Sequence, residues 1–156
     1  MIKIDIPGFG KLNLKYMVSD FTGTLSEDGK LLPGIKTRLN QIAKNLEIYV
    51  LTSDSFGTAV SELRGSKCDV NIISKGNEDL QKEKFVRKLG QESVVAMGNG
   101  NNDRKMIKIA RLGIIVTSSD GSAVPALIAA DISVKSPIDA LDLLLHPKRI
   151  MTTLRY

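Results

Sequence analysis

The sequence is poor in residues that several common kinds of functional site require. It has one cysteine, Cys68, one histidine, His146, and no tryptophan among 156 residues. A single cysteine cannot form an internal disulfide, which fits a reducing compartment. The lone histidine precedes a predicted helix start at Pro147, and its isolation argues against Ser-His-Asp catalysis and against histidine-based metal sites.

Long apolar runs are also missing. No run approaches the roughly 18 residues that a membrane span needs. The opening segment MIKIDIPGFG alternates apolar and polar residues, so it predicts a strand and lacks the apolar core of a signal peptide. We therefore expect a soluble, cytoplasmic protein with no membrane partner.

Charge and aromatic content give little support for nucleic-acid binding. The chain has 22 Lys and Arg against 17 Asp and Glu, a net charge of +5, and the cations are spread along its whole length. Three Tyr and four Phe supply little material for base stacking. The mild positive charge suits phosphorylated ligands without identifying one, and we expect no nucleic-acid partner.

Hydrophobic patterning predicts the fold class. Strands over 2–6 and 12–18 flank the turn PGFG and predict an N-terminal β-hairpin. Later strands alternate with amphipathic helices: EIYVLT, VNIIS, SVVAM, GIIVT and DISVK are the strands, and 55–64, 79–89 and 102–111 are among the helices. Strands that are apolar on both faces imply an α/β, doubly wound, mostly parallel sheet, and the length predicts a single domain over 1–156.

Ligands of such sheets bind beyond the carboxyl ends of the strands. The residues there are Asp20-Phe21-Thr22, Thr52-Ser53-Asp54, Ser74-Lys75-Gly76, Gly98-Asn99-Gly100 and Thr117-Ser118-Ser119. Asp20 is a candidate nucleophile, since a carboxylate that attacks phosphorus gives an aspartyl-phosphate. Gly23 permits a sharp turn around a phosphoryl group, and the Thr52 hydroxyl, with Ser53 beside it, can bind phosphoryl oxygens.

The remaining strand ends predict a cation site and a positive side chain. The segment GNGNND supplies Asn99 and Asp103 as oxygen ligands of the kind that Mg²⁺ prefers. A transferring phosphoryl group also needs a protein cation. Lys82 is the better candidate than Lys84, because apolar residues follow Lys82 after three, four and seven positions and place it on the helix face that packs against the sheet.

Each feature alone has an ordinary structural explanation. Asp20 could cap a turn, residues 52–54 could cap the next helix, GNGNND could be a common turn, and Lys82 could be a surface lysine. Their occurrence together, in a workable order along the chain, favours a phosphoryl-transfer site.

The segments VSDFTGTL, YVLTSD, QKEKFVRKL and VVAMGNGNND resemble, in this order, the four motifs of the haloacid dehalogenase superfamily. More narrowly they resemble the phosphorylation domain of P-type ATPases and small soluble P-type-ATPase-like hydrolases, which share the IPGFG opening and the DALDLLLHPKR tail. The resemblance implies that Asp20 accepts the phosphoryl group and that Asp20, the Thr22 carbonyl, Asn99 and Asp103 hold Mg²⁺. It makes the Thr52 hydroxyl a hydrogen-bond donor to the phosphate, and it makes Lys82 the cation that neutralises the phosphoryl charge.

Three positions depart from the superfamily pattern. Phe21 stands where the pumps have lysine, and Asn99 stands where a metal-binding aspartate is usual. Thr22 replaces the second aspartate of ordinary superfamily phosphatases, although P-type ATPases also have threonine there. Phe21 therefore distinguishes this chain from the pumps, and Thr22 distinguishes it from ordinary superfamily phosphatases. Asn99 is expected to weaken Mg²⁺ binding.

The expected function is a slow Mg²⁺-dependent phosphatase with an aspartyl-phosphate intermediate. About 27 residues separate Thr24 from Thr52, too few for a cap or a nucleotide-binding domain, so the resemblance implies a capless domain. An open site suits a phosphorylated small molecule or macromolecule, or completion of the site by a neighbouring subunit. The alternative is a regulatory module that binds phosphate or Mg²⁺ with negligible turnover; a response-regulator receiver fits less well, because Asp20 follows the first long central strand.

Overall fold

The computed structural model describes all residues from Met1 to Tyr156. The chain begins with the antiparallel hairpin of β1 (Ile2–Ile6) and β2 (Gly10–Leu14), followed by β3 (Tyr16–Ser19). The single strand predicted over 12–18 is wrong, because it is interrupted at Lys15. The Lys15 N–H donates to the Ser93 carbonyl at 2.9 Å, and its carbonyl accepts from the Glu47 N–H at 3.0 Å, so β2 and β3 enter different sheets.

The elements that follow alternate between strands and helices. They are β4 (Ser26–Glu27), β5 (Lys30–Leu31), α1 (Ile35–Ile42), β6 (Glu47–Thr52), α2 (Ala59–Glu62), β7 (Asp69–Ile72), α3 (Glu78–Leu89), β8 (Val94–Gly98), α4 (Arg104–Ile109), β9 (Leu112–Val116), α5 (Val124–Ala129), β10 (Ile132–Val134), α6 (Pro137–Leu145) and α7 (Pro147–Leu154). Short 3₁₀ turns precede β8 and α4. None of the helices is both long enough and apolar enough to cross a membrane.

Two helices are shorter than the hydrophobic spacing predicted. Residues 55–58 stay a loop, and the Asp54 carboxylate accepts from the N–H groups of Thr58 and Ala59 at 3.0 Å, so that α2 begins at Ala59. The helix predicted over 102–111 opens with a 3₁₀ turn over Asn101–Asp103, and only its later part is α-helical. Both changes lie at strand ends, where the chain turns into the site.

The central sheet has six parallel strands in the order β10-β9-β8-β3-β6-β7. The chain leaves β3 on one side for β6 and β7, then returns to the other side for β8, β9 and β10. The strand order therefore reverses beside β3. Crevices at the carboxyl ends of strands around such a reversal are the usual ligand sites of α/β sheets.

Helices cover both faces of this sheet, as the doubly wound prediction requires. Neighbouring residues on each strand point to opposite faces: Met17 belongs to the cluster under the hairpin, α1 and α6, and Val18 to the cluster under α3, α4 and α5. Between β3 and β6 lie only the small β4–β5 flap and α1, and between β6 and β7 only α2. No cap domain is inserted, and the predicted α/β fold with an N-terminal hairpin is confirmed.

Candidate active site

Three adjacent strands bring the predicted residues to one edge of the sheet. The Asp20 N–H donates to the Met97 carbonyl at 3.0 Å, so Asp20 follows β3 directly and stays in register with β8. Thr52 ends β6 on one side, and Asn99 follows β8 on the other. Because all three strands are parallel, these side chains share the carboxyl edge.

Lys82 reaches this edge from α3. Its side chain is fully buried, and its Nζ lies 2.8 Å from Asp20 Oδ1 and 2.7 Å from Asp103 Oδ1. Lys84, two residues later, is exposed. The helical spacing therefore predicted the buried lysine correctly, and the buried ammonium is held between two carboxylates.

The Asp103 carboxylate is fully engaged. One oxygen accepts from Lys82, and the other accepts from the N–H groups of Asn99 and Gly100 at 3.0 and 2.9 Å. These bonds close the turn after β8 and fix the position of the lysine. The role of Asp103 as a metal ligand stays a prediction.

Burial and neighbouring charge perturb both partners of this ion pair. Burial, with the nearby Asp103 carboxylate acting in the same direction, raises the pKa of Asp20 to about 7, although Lys82 opposes the rise. Burial disfavours the charged form of Lys82, but Asp103 and Asp20 outweigh it and raise the pKa of Lys82 above its ordinary value. Lys82 therefore stays positively charged, and Asp20 takes up a proton more readily than an ordinary aspartate.

A tight turn follows Asp20. The Phe21 carbonyl accepts from the N–H groups of Thr24, Leu25 and Ser26 at 2.9 to 3.3 Å. Gly23 has φ +76°, and a Cβ there would lie only 2.7 Å from Asn99 Nδ2. A side chain would fill this concave space, so glycine is needed for both its conformation and its size.

The Thr22 carbonyl accepts no hydrogen bond, although the carbonyls on either side of it do. It lies in the turn that carries Asp20 and is partly exposed. An unsatisfied carbonyl oxygen beside a carboxylate is a hard donor of the type that Mg²⁺ takes.

On the opposite side, Thr52 is buried at the end of β6. Its hydroxyl oxygen accepts from the Asp54 N–H at 2.9 Å and donates no hydrogen bond. The hydroxyl proton is thus available to an incoming acceptor. Ser53 is half-buried, and its side chain has no hydrogen-bond partner either.

Asn99 is oriented by two hydrogen bonds. Its Oδ1 accepts from Thr24 Oγ1 at 3.2 Å, and its Nδ2 donates to the Gly121 carbonyl at 3.3 Å. No group of three or more His, Cys, Asp or Glu in the chain could hold a metal ion. The oxygen donors gathered here, from Asp20, Thr22 and Asn99, fit Mg²⁺ in kind but bring one carboxylate.

Sequence reasoning included the end of β9 among the strand ends but gave the loop after it no role. Ser118 Oγ donates to the Gly23 carbonyl at 3.2 Å, and the Asp120 carboxylate lies beside Gly23 and Asn99. The strand end Thr117-Ser118-Ser119 was a signal for this loop, but Asp120 lies one residue beyond it. A second missed contact joins Asn102 Nδ2 to Glu78 Oε2 at 2.9 Å and ties the turn after β8 to the start of α3.

Proteins of similar sequence match parts of the chain or are themselves uncharacterized. No family profile matches the chain. Over 84 residues, 51% of this chain, it is 40% identical to an uncharacterized protein of Methanocaldococcus jannaschii and covers 90% of that protein. Over 135 residues it is 23% identical to the potassium-transporting ATPase ATP-binding subunit of Thermoplasma volcanium, but it spans only 20% of that subunit.

Solved structures give a clearer view of the fold. The crystal structure of 3-deoxy-D-manno-octulosonate 8-phosphate phosphatase from Moraxella catarrhalis, in complex with a magnesium ion, a phosphate ion and a KDO molecule, matches with a TM-score of 0.72 at 15% identity and with 90% of each chain covered. An apo phosphoserine phosphatase matches with a TM-score of 0.63 at 16% identity, over 85% of this chain and 98% of that one.

The chain therefore has the haloacid dehalogenase fold. The haloacid dehalogenase fold accounts for the order of the four motifs, which lie after β3, at the end of β6, on α3 and after β8. The crossovers from β3 to β6 and from β6 to β7 carry no inserted domain.

Proposed function

We infer that this chain is a Mg²⁺-dependent phosphohydrolase that forms an aspartyl-phosphate at Asp20. The observation that carries the proposal is the buried Lys82 ammonium, 2.8 Å from Asp20 Oδ1 at the carboxyl end of the central strand. Nucleophile and cation come from distant parts of the chain and meet where α/β sheets bind ligands. The phosphatases with similar folds support the same chemistry.

In the first step an Asp20 oxygen attacks phosphorus, and the bond from phosphorus to the leaving oxygen breaks. Asp20 must be ionised for this step. Lys82 and the free hydroxyl proton of Thr52 stabilise the charge on the phosphoryl oxygens. The leaving oxygen takes its proton from solvent, because the Thr22 side chain has no acidic proton to give.

Charge near the nucleophile favours a divalent cation. Asp20 and Asp103 contribute two negative charges against the single positive charge of Lys82, and a phosphate ester adds more negative charge. When bound, Mg²⁺ would supply the missing positive charge at the phosphoryl oxygens. Asp20, the Thr22 carbonyl and Asn99 would hold it, and Asp103 would act beside them chiefly through Lys82.

In the second step a water oxygen attacks phosphorus, and the bond from phosphorus to Asp20 breaks, which releases phosphate and regenerates the carboxylate. A general base typically contributes 10²–10⁴-fold to such a step. Threonine cannot act as one near neutral pH, so Thr22 leaves the intermediate long-lived. We therefore expect acyl and aryl phosphates, which have good leaving groups, to react faster than alkyl phosphates.

The open edge of the sheet allows two classes of phosphorylated substrate. Because no cap encloses Asp20, the substrate can be a phosphorylated small molecule or a phosphorylated macromolecule, and a neighbouring subunit could complete the site. Cys68 is a free thiol, which suits a reducing compartment such as the cytoplasm.

The second candidate is a regulatory module that accepts or binds phosphate with negligible turnover. Thr22 and Asn99 favour it, since both positions lack the carboxylate found in ordinary superfamily phosphatases. It shares the first chemical step with the phosphatase and differs in the second.

Hydrolysis of p-nitrophenyl phosphate with and without Mg²⁺ separates these functions. We expect Mg²⁺-dependent release in the parent, loss of release in Asp20→Asn, and no change in Asp5→Asn, which removes an exposed carboxylate from the N-terminal hairpin. Turnover in Asp20→Asn comparable to the parent would exclude Asp20 as the nucleophile. A single stoichiometric release without turnover would favour the regulatory module.

A further inference from the structure

The loop between β9 and α5 folds against the turn that carries the nucleophile. Ser118 Oγ donates to the Gly23 carbonyl at 3.2 Å, and the Ala123 N–H donates to the Asn99 carbonyl at 2.8 Å. Between these two anchors, the Gly121 carbonyl accepts from Asn99 Nδ2 at 3.3 Å. Three hydrogen bonds therefore fix a short exposed loop at the edge of the candidate active site.

This arrangement carries the Asp120 carboxylate close to Asn99, where the sequence has an amide in place of a carboxylate. An ideal Cβ on Gly23 would lie 2.9 Å from Asp120 Oδ2 and 2.7 Å from Asn99 Nδ2, so both side chains border the same small space next to Thr22. Asp120 has no ion-pair partner and accepts no hydrogen bond. No protein cation therefore neutralises the Asp120 carboxylate, which lies beside Gly23 and Asn99.

The donor set explains why a second carboxylate matters. Mg²⁺ sites that also bind phosphate usually have one or two protein carboxylates, with water and phosphate oxygens completing the octahedron. At Asn99 an amide stands where a carboxylate is usual, and its Oδ1 already accepts a hydrogen bond from Thr24. Only Asp20 then contributes charge, and Lys82 neutralises part of that charge.

We propose that Asp120 is the second carboxylate ligand of the divalent cation, in place of the carboxylate that Asn99 lacks. The inference rests on the proposed Mg²⁺-dependent function, and it adds a residue that lies outside all four superfamily motifs. The competing explanation is a solvated loop aspartate, which predicts that its removal leaves metal binding unchanged.

Calorimetric titration with Mg²⁺, in the absence of any substrate, tests the assignment. We expect Asp120→Asn to raise the Mg²⁺ dissociation constant by about 10-fold or more, the usual loss of affinity when a supporting group at a metal site is removed. Glu92→Gln removes an exposed carboxylate at the opposite end of β8 and is expected to leave the constant within about twofold of the parent, as surface changes away from a site do. Adding Asn99→Asp to Asp120→Asn should recover most of the affinity.

The same titrations test the assignment of Asp120 separately from the proposed function. If Asp20→Asn weakens Mg²⁺ binding and Asp120→Asn does not, the assignment of Asp120 is overturned and the proposed function stands. If the parent binds no Mg²⁺, both are overturned. Thermal unfolding in EDTA checks that every variant is folded, so that a loss of affinity reports on the ligand set.

Discussion

At the residue scale, two opposing requirements meet at Asp20, the proposed nucleophile. A nucleophile must be ionised, but burial beside Asp103 favours the neutral carboxyl and raises the pKa of Asp20 to about 7. Lys82 limits the rise without cancelling it. The charge of Asp20 therefore depends on what binds beside it.

This raised pKa predicts a pH-dependent contribution to stability. Between the usual aspartate pKa of about 4 and the folded-state value of about 7, the folded protein holds a proton that the unfolded chain releases. The stabilisation from Asp20 is therefore present at low pH and is lost as pH rises through about 7. In urea unfolding with EDTA, we expect Asp20→Asn to gain stability relative to the parent on going from pH 5 to pH 8, because asparagine cannot ionise.

The comparison between parent and variant cancels the other groups that titrate in this range. Asp5→Asn, on the exposed hairpin, serves as the matched control and should show the same difference from the parent at both pH values. If Asp20→Asn also shows an unchanged difference, the carboxyl titrates at an ordinary value and the burial argument fails.

At the element scale, α3 positions the cation. Its first turn contains the acidic residues Glu78 and Asp79, and its last turn contains basic residues. This distribution of charge stabilises the helix through its dipole. Glu78 accepts from Asn102, and Asp79 forms an ion pair with Lys105 at 2.8 Å, so the start of α3 is joined to the turn after β8 and to α4. These contacts set the direction from which Lys82 enters the site.

A pair of lysine variants on α3 tests this arrangement. Removal of one member of a buried ion pair typically costs about 3–5 kcal/mol, because it leaves uncompensated buried charge. Lys82→Met should therefore lower the free energy of unfolding by about that amount, and by more at pH 8 than at pH 5, because the raised pKa of Asp20 lets its carboxyl be neutral at the lower pH. Lys84→Met, on the exposed face, should change it by less than about 0.5 kcal/mol. Equal effects of the two variants would contradict the burial of Lys82.

The accuracy of the sequence predictions varied between elements for physical reasons. Helix α3 was predicted over 79–89 and observed over Glu78–Leu89, because local spacing alone defines its apolar face. The break at Lys15 could not be predicted, since its partners Ser93 and Glu47 are distant in sequence. The start of α2 depends on hydrogen bonds from the N–H groups of Thr58 and Ala59 to the Asp54 carboxylate, and hydrophobic periodicity does not reveal such bonds.

At the scale of the whole molecule, the fold brings separate chain segments to one edge of a parallel sheet. The strand pattern predicted that Asp20, Thr52 and Asn99 would lie at the carboxyl edge of a parallel sheet, and the structure places them after the adjacent strands β3, β6 and β8. The approach of Asp120 was not predictable, since it depends on the path of a loop held by hydrogen bonds to Gly23 and Asn99. The missing cap was predictable from the distance between motifs.

The central claim is that Asp20 becomes phosphorylated and that Thr22 makes the product long-lived. The most direct measurement is rapid mixing with acetyl phosphate at saturating Mg²⁺, followed by borohydride reduction, which converts an aspartyl-phosphate to homoserine at the modified position. We predict a burst, homoserine at position 20, and slow decay that Thr22→Asp accelerates by about 10-fold or more. Homoserine elsewhere, or no burst together with equal hydrolysis of alkyl and aryl phosphates, would contradict the account.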